Sequence, residues 1–323
     1  MVLRDIRDLV HSMGKDIKSY GLLELVETGD GSDDVLREVQ EDLLDGVDQE
    51  HLDLYTSLNI EQRAGFEEIL DHVVNNRKHV FFVDGPGGTG KTYLYKALLA
   101  KVRSLGKIAI ATATSGIAAS IMPGGRTAHS RFKIPVKLMD NSICSFTKQS
   151  GTAELLRRAS LIIWDEVSMT KRQAVEALDT SLQDIMGCVM PFGGKVVVFG
   201  GDFRQVLPVV PRGTRAQITD AMLQRSYLWE RIRQIRLTRN MRAQTDPWFS
   251  KYLLRIGNGT EETIGDDYVR LPDDIVIGYT PGDAPVMKLI EHVFPSLHEN
   301  ASSVAYMSTR DILSTKNEHV DDL

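Results

Sequence analysis

The chain has 323 residues, 42% of them hydrophobic and 25% charged, enough for one large domain or two ordinary ones around a sizeable core. Apolar runs such as residues 80–83, 161–164 and 196–199 fall far short of the ~20 residues that cross a bilayer, and Arg4, Asp5, Arg7 and Asp8 interrupt any signal-peptide centre, so no membrane partner is expected. The net charge of −6 argues against a polyanionic partner until its distribution is read: residues 101–148 hold 8 basic side chains against 1 acidic, and residues 202–242 hold 9 arginines against 3 acids, which suggests a basic surface on an acidic body.

Residues 1–57 read as an acidic helical extension with a break at residues 28–34, and no chemistry is visible there. From residue 58 the pattern changes. Residues 59–74 predict a helix with Ile60, Phe66, Ile69, Leu70 and Val73 on one face. Strands follow at 79–84, 107–112, 161–165, 195–200 and 234–237, with helices at 91–105 and 171–185. Runs that are apolar throughout suit strands buried on both faces, and alternation with helices implies an α/β fold with a doubly wound, mostly parallel sheet. Further on, 248–256 reads as a helix, 275–279 and 312–314 as strands, and 317–323 as the start of a helix. This divides the chain into an extension (1–57), a first α/β domain (58–245), a connecting segment (246–300) and the start of a second domain (301–323). Cys144 and Cys188, isolated from each other, form neither a disulfide framework nor a metal cluster, so a reducing compartment is expected.

The strongest motif is Gly85-Pro86-Gly87-Gly88-Thr89-Gly90-Lys91-Thr92, with an apolar strand before it and a helix of good formers after it. Glycines there let backbone N–H groups turn inward around a phosphate, and the helix start adds its positive dipole end. Lys91 then reaches the outer phosphates of a nucleoside triphosphate, and the Thr92 hydroxyl is a ligand for Mg²⁺. Next, Asp165-Glu166 ends an apolar strand, placing two carboxylates where ligands of such sheets bind. Asp165 is the expected metal partner, and Glu166 the group that orients or deprotonates an attacking water. Third, Gly201-Asp202-Phe203-Arg204-Gln205 leaves another apolar strand, and Gln205 is placed to bond the terminal phosphate or the water.

In this order, with Ser115-Gly116-Ile117-Ala118-Ala119, the run from Pro123 to Pro135, Gly201 to Val209 and Leu237-Thr238-Arg239-Asn240-Met241-Arg242, the chain resembles the superfamily 1B DNA helicases of the PIF family, and within them the plant-type and Helitron-like branch. The likeness runs from about residue 58 to the end. It implies a RecA-like P-loop NTPase fold, ATP and Mg²⁺ as cofactors, and single-stranded DNA as partner of a monomer moving five-prime to three-prime. It also implies a nucleus, with the mitochondrion as alternative. By the same resemblance Asn59 and Gln62 read the adenine edge, and Arg242 leans on the terminal phosphate, with Arg239 as its competitor. Thr114, Ser115, Gly116, Arg126, Thr127, His129, Ser130 and Lys133 would contact the strand, with Phe132 as a further packer against base or sugar; their hydroxyls, backbone N–H groups and charges suit that chemistry. Such helicases carry two motor domains, and the second is expected to begin near residues 302–315. On that reading the chain hydrolyses ATP but does not unwind DNA alone. A nucleotide-gated strand-binding fragment, such as a transposon relic, is the alternative, and the motif at 201–209 argues against a small-molecule kinase.

Overall fold

This structure, a computed structural model, describes residues 38–40, 48–265, 268–278, 280, 282 and 284–314. The expected break at 28–34 and the helix expected from 317 lie outside them. Strands form at the short apolar runs, β1 (Val80–Asp84), β2 (Ile108–Ala113), β4 (Ala159–Asp165) and β5 (Val197–Gly201), and at two polar edge segments, β3 (Arg126–Thr127) and β6 (Arg233–Arg236). They pair in parallel in the order β3-β2-β4-β5-β1-β6. Between them run α1 (Gln49–Ser57), α2 (Ile60–Val74), α3 (Lys91–Ser104), α4 (Gly116–Ser120), α5 (Ala128–Phe132), α6 (Gly151–Arg158), α7 (Arg172–Met186), α8 (Arg215–Ala221) and α9 (Pro247–Gly257).

Successive strand side chains point to opposite faces, and here both faces are covered. Val80, Phe82, Ile162, Trp164, Val197 and Phe199 pack with Leu155 of α6 and Val175 and Leu178 of α7. Phe81, Val83, Leu161, Ile163 and Val198 pack the other way, with Phe66 and Ile69 of α2 and Leu94 and Leu98 of α3. A strand such as Val-Phe-Phe-Val therefore has no position left for a polar residue. Full burial of Phe81 and Phe82 stabilises the fold by roughly 1.5–3 kcal/mol each. The core also takes in part of the expected extension. Val39 is buried with the α6–α7 layer, Thr152 donates to the Glu38 carboxylate, and the Ser57 hydroxyl meets that of Tyr93 on α3.

The chain divides into two compact units after Asn258. In the second, β7 (Thr263–Ile264) and β8 (Tyr268–Val269) form a two-stranded antiparallel pair, and no described residue is fully buried. The strand expected at 275–279 is not formed. Asp273–Ile275 makes a 3₁₀ turn after Pro272, and Ile275 and Val276 are about half exposed, with no sheet face to cover. The strand expected at 312–314 is irregular as well. Leu313 is 93% exposed, and none of the described residues offers it a ladder.

Candidate active site

All six strands run the same way, so the loops after β1, β4, β5 and β6 meet at one edge of the sheet. The loop after β1 needs its glycines. Gly88 (φ 89°) and Gly90 (φ 79°) take left-handed backbone that costs other residues about 1–2 kcal/mol. A Cβ at Gly85 would sit 2.5 Å from the Thr89 hydroxyl, and one at Gly88 2.7 Å from Asn240 Oδ1. Thr89 Oγ1 donates to the Pro86 carbonyl, closing the turn. Gly90 caps α3 without a side-chain hydrogen bond, which leaves the first-turn N–H groups for an anion. Lys91, 8% exposed, folds its ammonium back to the Gly85 carbonyl at 2.6 Å. Thr92, half-buried, follows it on the first turn of α3.

Two distant segments brace this loop. At the start of α2, Asn59 and Gln62 form a reciprocal capping box. Gln62 Nε2 then donates to the Thr89 carbonyl. Gln62 is 2% exposed, so its amide ties helix to loop and does not face the open cleft. Asn59 does line a cleft of about 420 Å³, together with Leu58, Ile60, Arg63, Glu67 and Arg239. After β6, Met241 N–H donates to the Gly88 carbonyl at 2.7 Å. Asn240 Nδ2 reaches the Gly87 carbonyl, while its Oδ1 accepts from Arg242 and Ala243 N–H. Arg242 is thereby held against Gly88 with its side chain exposed. Glu61 anchors the same segment by accepting from Thr238 N–H, Thr238 Oγ1 and Arg239 N–H. Burial by itself would raise the Glu61 carboxyl, but those donors and the Arg239 charge outweigh it and hold it below its ordinary range.

The acidic pair lies beneath the loop. Asp165 is 4% exposed and its Oδ1 accepts from Glu166 N–H at 2.9 Å. Burial raises its carboxyl, opposed by that N–H and by the Lys91 charge. Glu166 adopts φ 54°, a left-handed conformation rare outside glycine that marks stored backbone strain. Its Oε2 is buried with no hydrogen-bond partner. Burial first, then Asp165 and Asp202, push the Glu166 carboxyl up, with Lys91 pulling the other way. Gln205 lies against Gly87 and donates to Asp202, whose other oxygen takes the Arg204 guanidinium at 2.6 Å. Arg204 also reaches Asp84 and Asn258. Lys91, Thr92, Asp165, Glu166, Gln205 and the Arg242 backbone are thus gathered at one edge. Glu61, Asn240 and Arg204 escaped the sequence reading. Their signal was spacing alone: Glu61 beside Gln62, and Asn240 two residues before Arg242.

The residues expected on a nucleic-acid strand gather at the ends of β2 and β3, where Ala113 pairs with Thr127. Gly116, Arg126 and Ser130 are exposed there, and Thr127, His129 and Lys133 partly so. Burial lowers the His129 imidazole, favouring its neutral form. Ser115 Oγ caps α4 through Ala118 N–H. Two expectations need correction. The Thr114 hydroxyl is fully engaged inside the protein: it donates to the Glu166 carbonyl at 2.7 Å, accepts from Trp164 Nε1 and meets Thr170 Oγ1. Phe132 is 0% exposed and its ring lies tilted against Trp164, so it is core and not a base platform. The basic surface is also thinner than the charge count suggested, since Arg103 and Arg131 are buried.

A family model described as PIF1-like helicase matches residues 57–267. Among curated proteins, the chain is similar to ATP-dependent DNA helicase PIF4 of Trypanosoma brucei brucei, at 31% identity over 156 residues, 46% of this chain and 18% of that protein. Against ATP-dependent DNA helicase RRM3 of Saccharomyces cerevisiae the identity is 32% over 184 residues, 55% and 25% of the two chains. Among solved structures, the Pif1 helicase from Bacteroides in complex with ADP-AlF3 and single-stranded DNA superposes with a TM-score of 0.52 at 30% identity, covering 61% of this chain and 46% of that one. The matches thus span less than half the length of these relatives.

Proposed function

The chain belongs to the PIF1-like helicase family, and from that premise we propose that it carries the ATP-hydrolysing site of a DNA helicase, coupling turnover to five-prime to three-prime movement on single-stranded DNA. The observation that carries the reading is Glu166 Oε2, a buried carboxylate oxygen without a partner, beside a phosphate loop and the Lys91 charge. Unpaired buried oxygens are costly to keep, and a base awaiting a water is a reason to keep one.

Each residue then has a part. The α3 amides and Lys91 hold the outer phosphates, with Lys91 exchanging the Gly85 carbonyl for them. Thr92 and Asp165 would hold Mg²⁺, a hard cation suited to hydroxyl and carboxylate oxygens. When bound, the ion neutralises charge on the phosphate oxygens. Glu166 Oε2 takes a proton from the water whose oxygen bonds to the terminal phosphorus, while the bond from that phosphorus to the bridging oxygen breaks and ADP leaves. Gln205, against Gly87, aligns that water. Arg242 swings its exposed guanidinium over Gly88 to meet the charge that develops. The cleft at Asn59 takes the adenine, so that Asn59 faces the base while Gln62 supports it from behind. Gly116, Arg126, Ser130 and Lys133 hold the strand; the Thr114 hydroxyl, being occupied, acts only through its neighbours.

The resemblance of the run from Pro123 to Pro135 supports the plant-type and Helitron-like branch, and on that branch the chain is proposed to work as a monomer in the nucleus or, alternatively, the mitochondrion. The test is ATP turnover by this chain with and without single-stranded DNA, beside Lys91→Ala. Strand-stimulated turnover that vanishes in the variant supports the reading. Strand and ATP binding without turnover would replace it with a nucleotide-gated binding module, and a forked-duplex assay then reads unwinding separately.

A further inference from the structure

One polar group near the site has no part in the steps above. Tyr95 lies four residues after Lys91 on α3, hence on the same face one turn further in. Its side chain is 0% exposed, and its hydroxyl has no hydrogen-bond partner. The hydroxyl points at β5 where the residue is glycine. A Cβ at Gly200 would fall 1.8 Å from Tyr95 Oη and 2.7 Å from Asp165 Oδ1. The two oxygens therefore face the same glycine-made space and lie no more than about 4.5 Å apart, the two distances added. The hydroxyl makes no direct bond to the carboxylate at its present setting, and the separation is short enough for one water to join them. Phenylalanine would fill the same core volume without an orphaned donor, so packing alone does not account for a tyrosine here.

We propose that Tyr95 is a positioning residue: its hydroxyl donates, through one buried water, to the Asp165 carboxylate and fixes the orientation in which Asp165 meets the divalent cation that accompanies the nucleotide. This deepens the nucleotide reading and rests on it. Both the hydroxyl and Asp165 are buried, so bulk water does not compete with this donor. Gly200 belongs to the same device, because any side chain there would collide with the hydroxyl. Tyr95 itself stays protonated, since burial and then the charges of Asp165 and Glu166 push its phenol well above the ordinary range.

The test joins two measurements on the protein and on Tyr95→Phe. A high-resolution crystal structure should show a water within hydrogen-bond distance of both Tyr95 Oη and the Asp165 carboxylate, absent from the variant. Binding of a non-hydrolysable ATP analogue, titrated with Mg²⁺ and again with Mn²⁺, should need about 5–10-fold more cation in the variant, while affinity at saturating cation is unchanged. The variant's thermal midpoint should be equal to or above that of the parent. A hydroxyl with neither water nor Asp165 as partner overturns the proposal, as does an unchanged cation requirement. A lower midpoint with equal loss of binding at every cation concentration marks a merely structural residue and overturns it too. If the bridge is seen but the parent binds no nucleotide, the linkage stands and it is the ATPase reading that falls.

Discussion

Replacing Glu166 by glutamine should lower activity and leave stability intact or improved, and the two effects have one origin. The side chain is nearly isosteric, so packing is unchanged. Acting as the proposed general base, Glu166 would account for a factor of ~10²–10⁴ in rate, about 2.7–5.4 kcal/mol of barrier. Its folded-state carboxyl is raised, by burial and then by Asp165. A raised acid is a liability once ionised. Between the unfolded value, about 4.3, and the higher folded one, the folded state binds more protons and stability falls as pH rises. Glutamine removes that loss. Because Glu166 is only half-buried, screening limits the gain to on the order of 1 kcal/mol or less. Steady-state phosphate release at saturating ATP should therefore drop at least ~100-fold. Urea unfolding at pH 7 should show a midpoint equal to or above that of the parent, and the difference should close toward pH 4. Turnover within threefold of the parent would refute the base assignment. A stability loss of about 2 kcal/mol would show instead that Oε2 has a structural partner.

Gly88→Ala places a Cβ at φ 89° and 2.7 Å from Asn240 Oδ1. It should cost about 1–2 kcal/mol of stability and roughly tenfold in nucleotide affinity by calorimetry, and full affinity would show that Asn240 does not brace the loop. Glu61→Ala removes the three donors' acceptor, for about 1–2 kcal/mol. Since the Glu61 carboxyl is held low, its contribution is present above about pH 4.3 and lost as pH falls through the lower folded value. The parent's urea midpoint should therefore fall more steeply than the variant's below that pH, and parallel curves would contradict it. Thr114→Val leaves Trp164 Nε1 without its acceptor and takes the Glu166 carbonyl's side-chain donor, leaving it only Met169 N–H. A loss of about 1–3 kcal/mol is expected, with turnover reduced beyond what unfolding explains; unchanged turnover would separate Thr114 from the placement of Glu166.

The four central strands were legible because they are almost wholly apolar, which only a two-faced burial explains, and the phosphate loop was legible because glycine spacing is a backbone requirement. What sequence hid was the use made of polar side chains. Thr114 and Gln62 look available for ligands in one dimension, yet each closes a hydrogen bond to the loops it neighbours in space. Phe132 sits in a polar run, but one turn of helix swings it into the core. Tyr95 passed as a helix former, because the glycine that makes room for its hydroxyl is more than a hundred residues away. The strand expected at 275–279 failed for the converse reason. Its apolar residues have period and propensity but no layer to cover.

The backbone bond from Met241 to Gly88 and the amide bond from Asn240 to Gly87 have a kinetic consequence. The loop is contiguous in sequence and flanked by strong local structure, yet its closed shape waits for a segment some 150 residues later to arrive beside β1 through β6. Pairings this distant in the chain are the slow ones in folding. Helix and sheet signals should therefore recover first on refolding from urea, with the capacity to trap a fluorescent nucleotide recovering last. On a ribosome, the nascent chain would display its best-known motif long before that motif could hold anything.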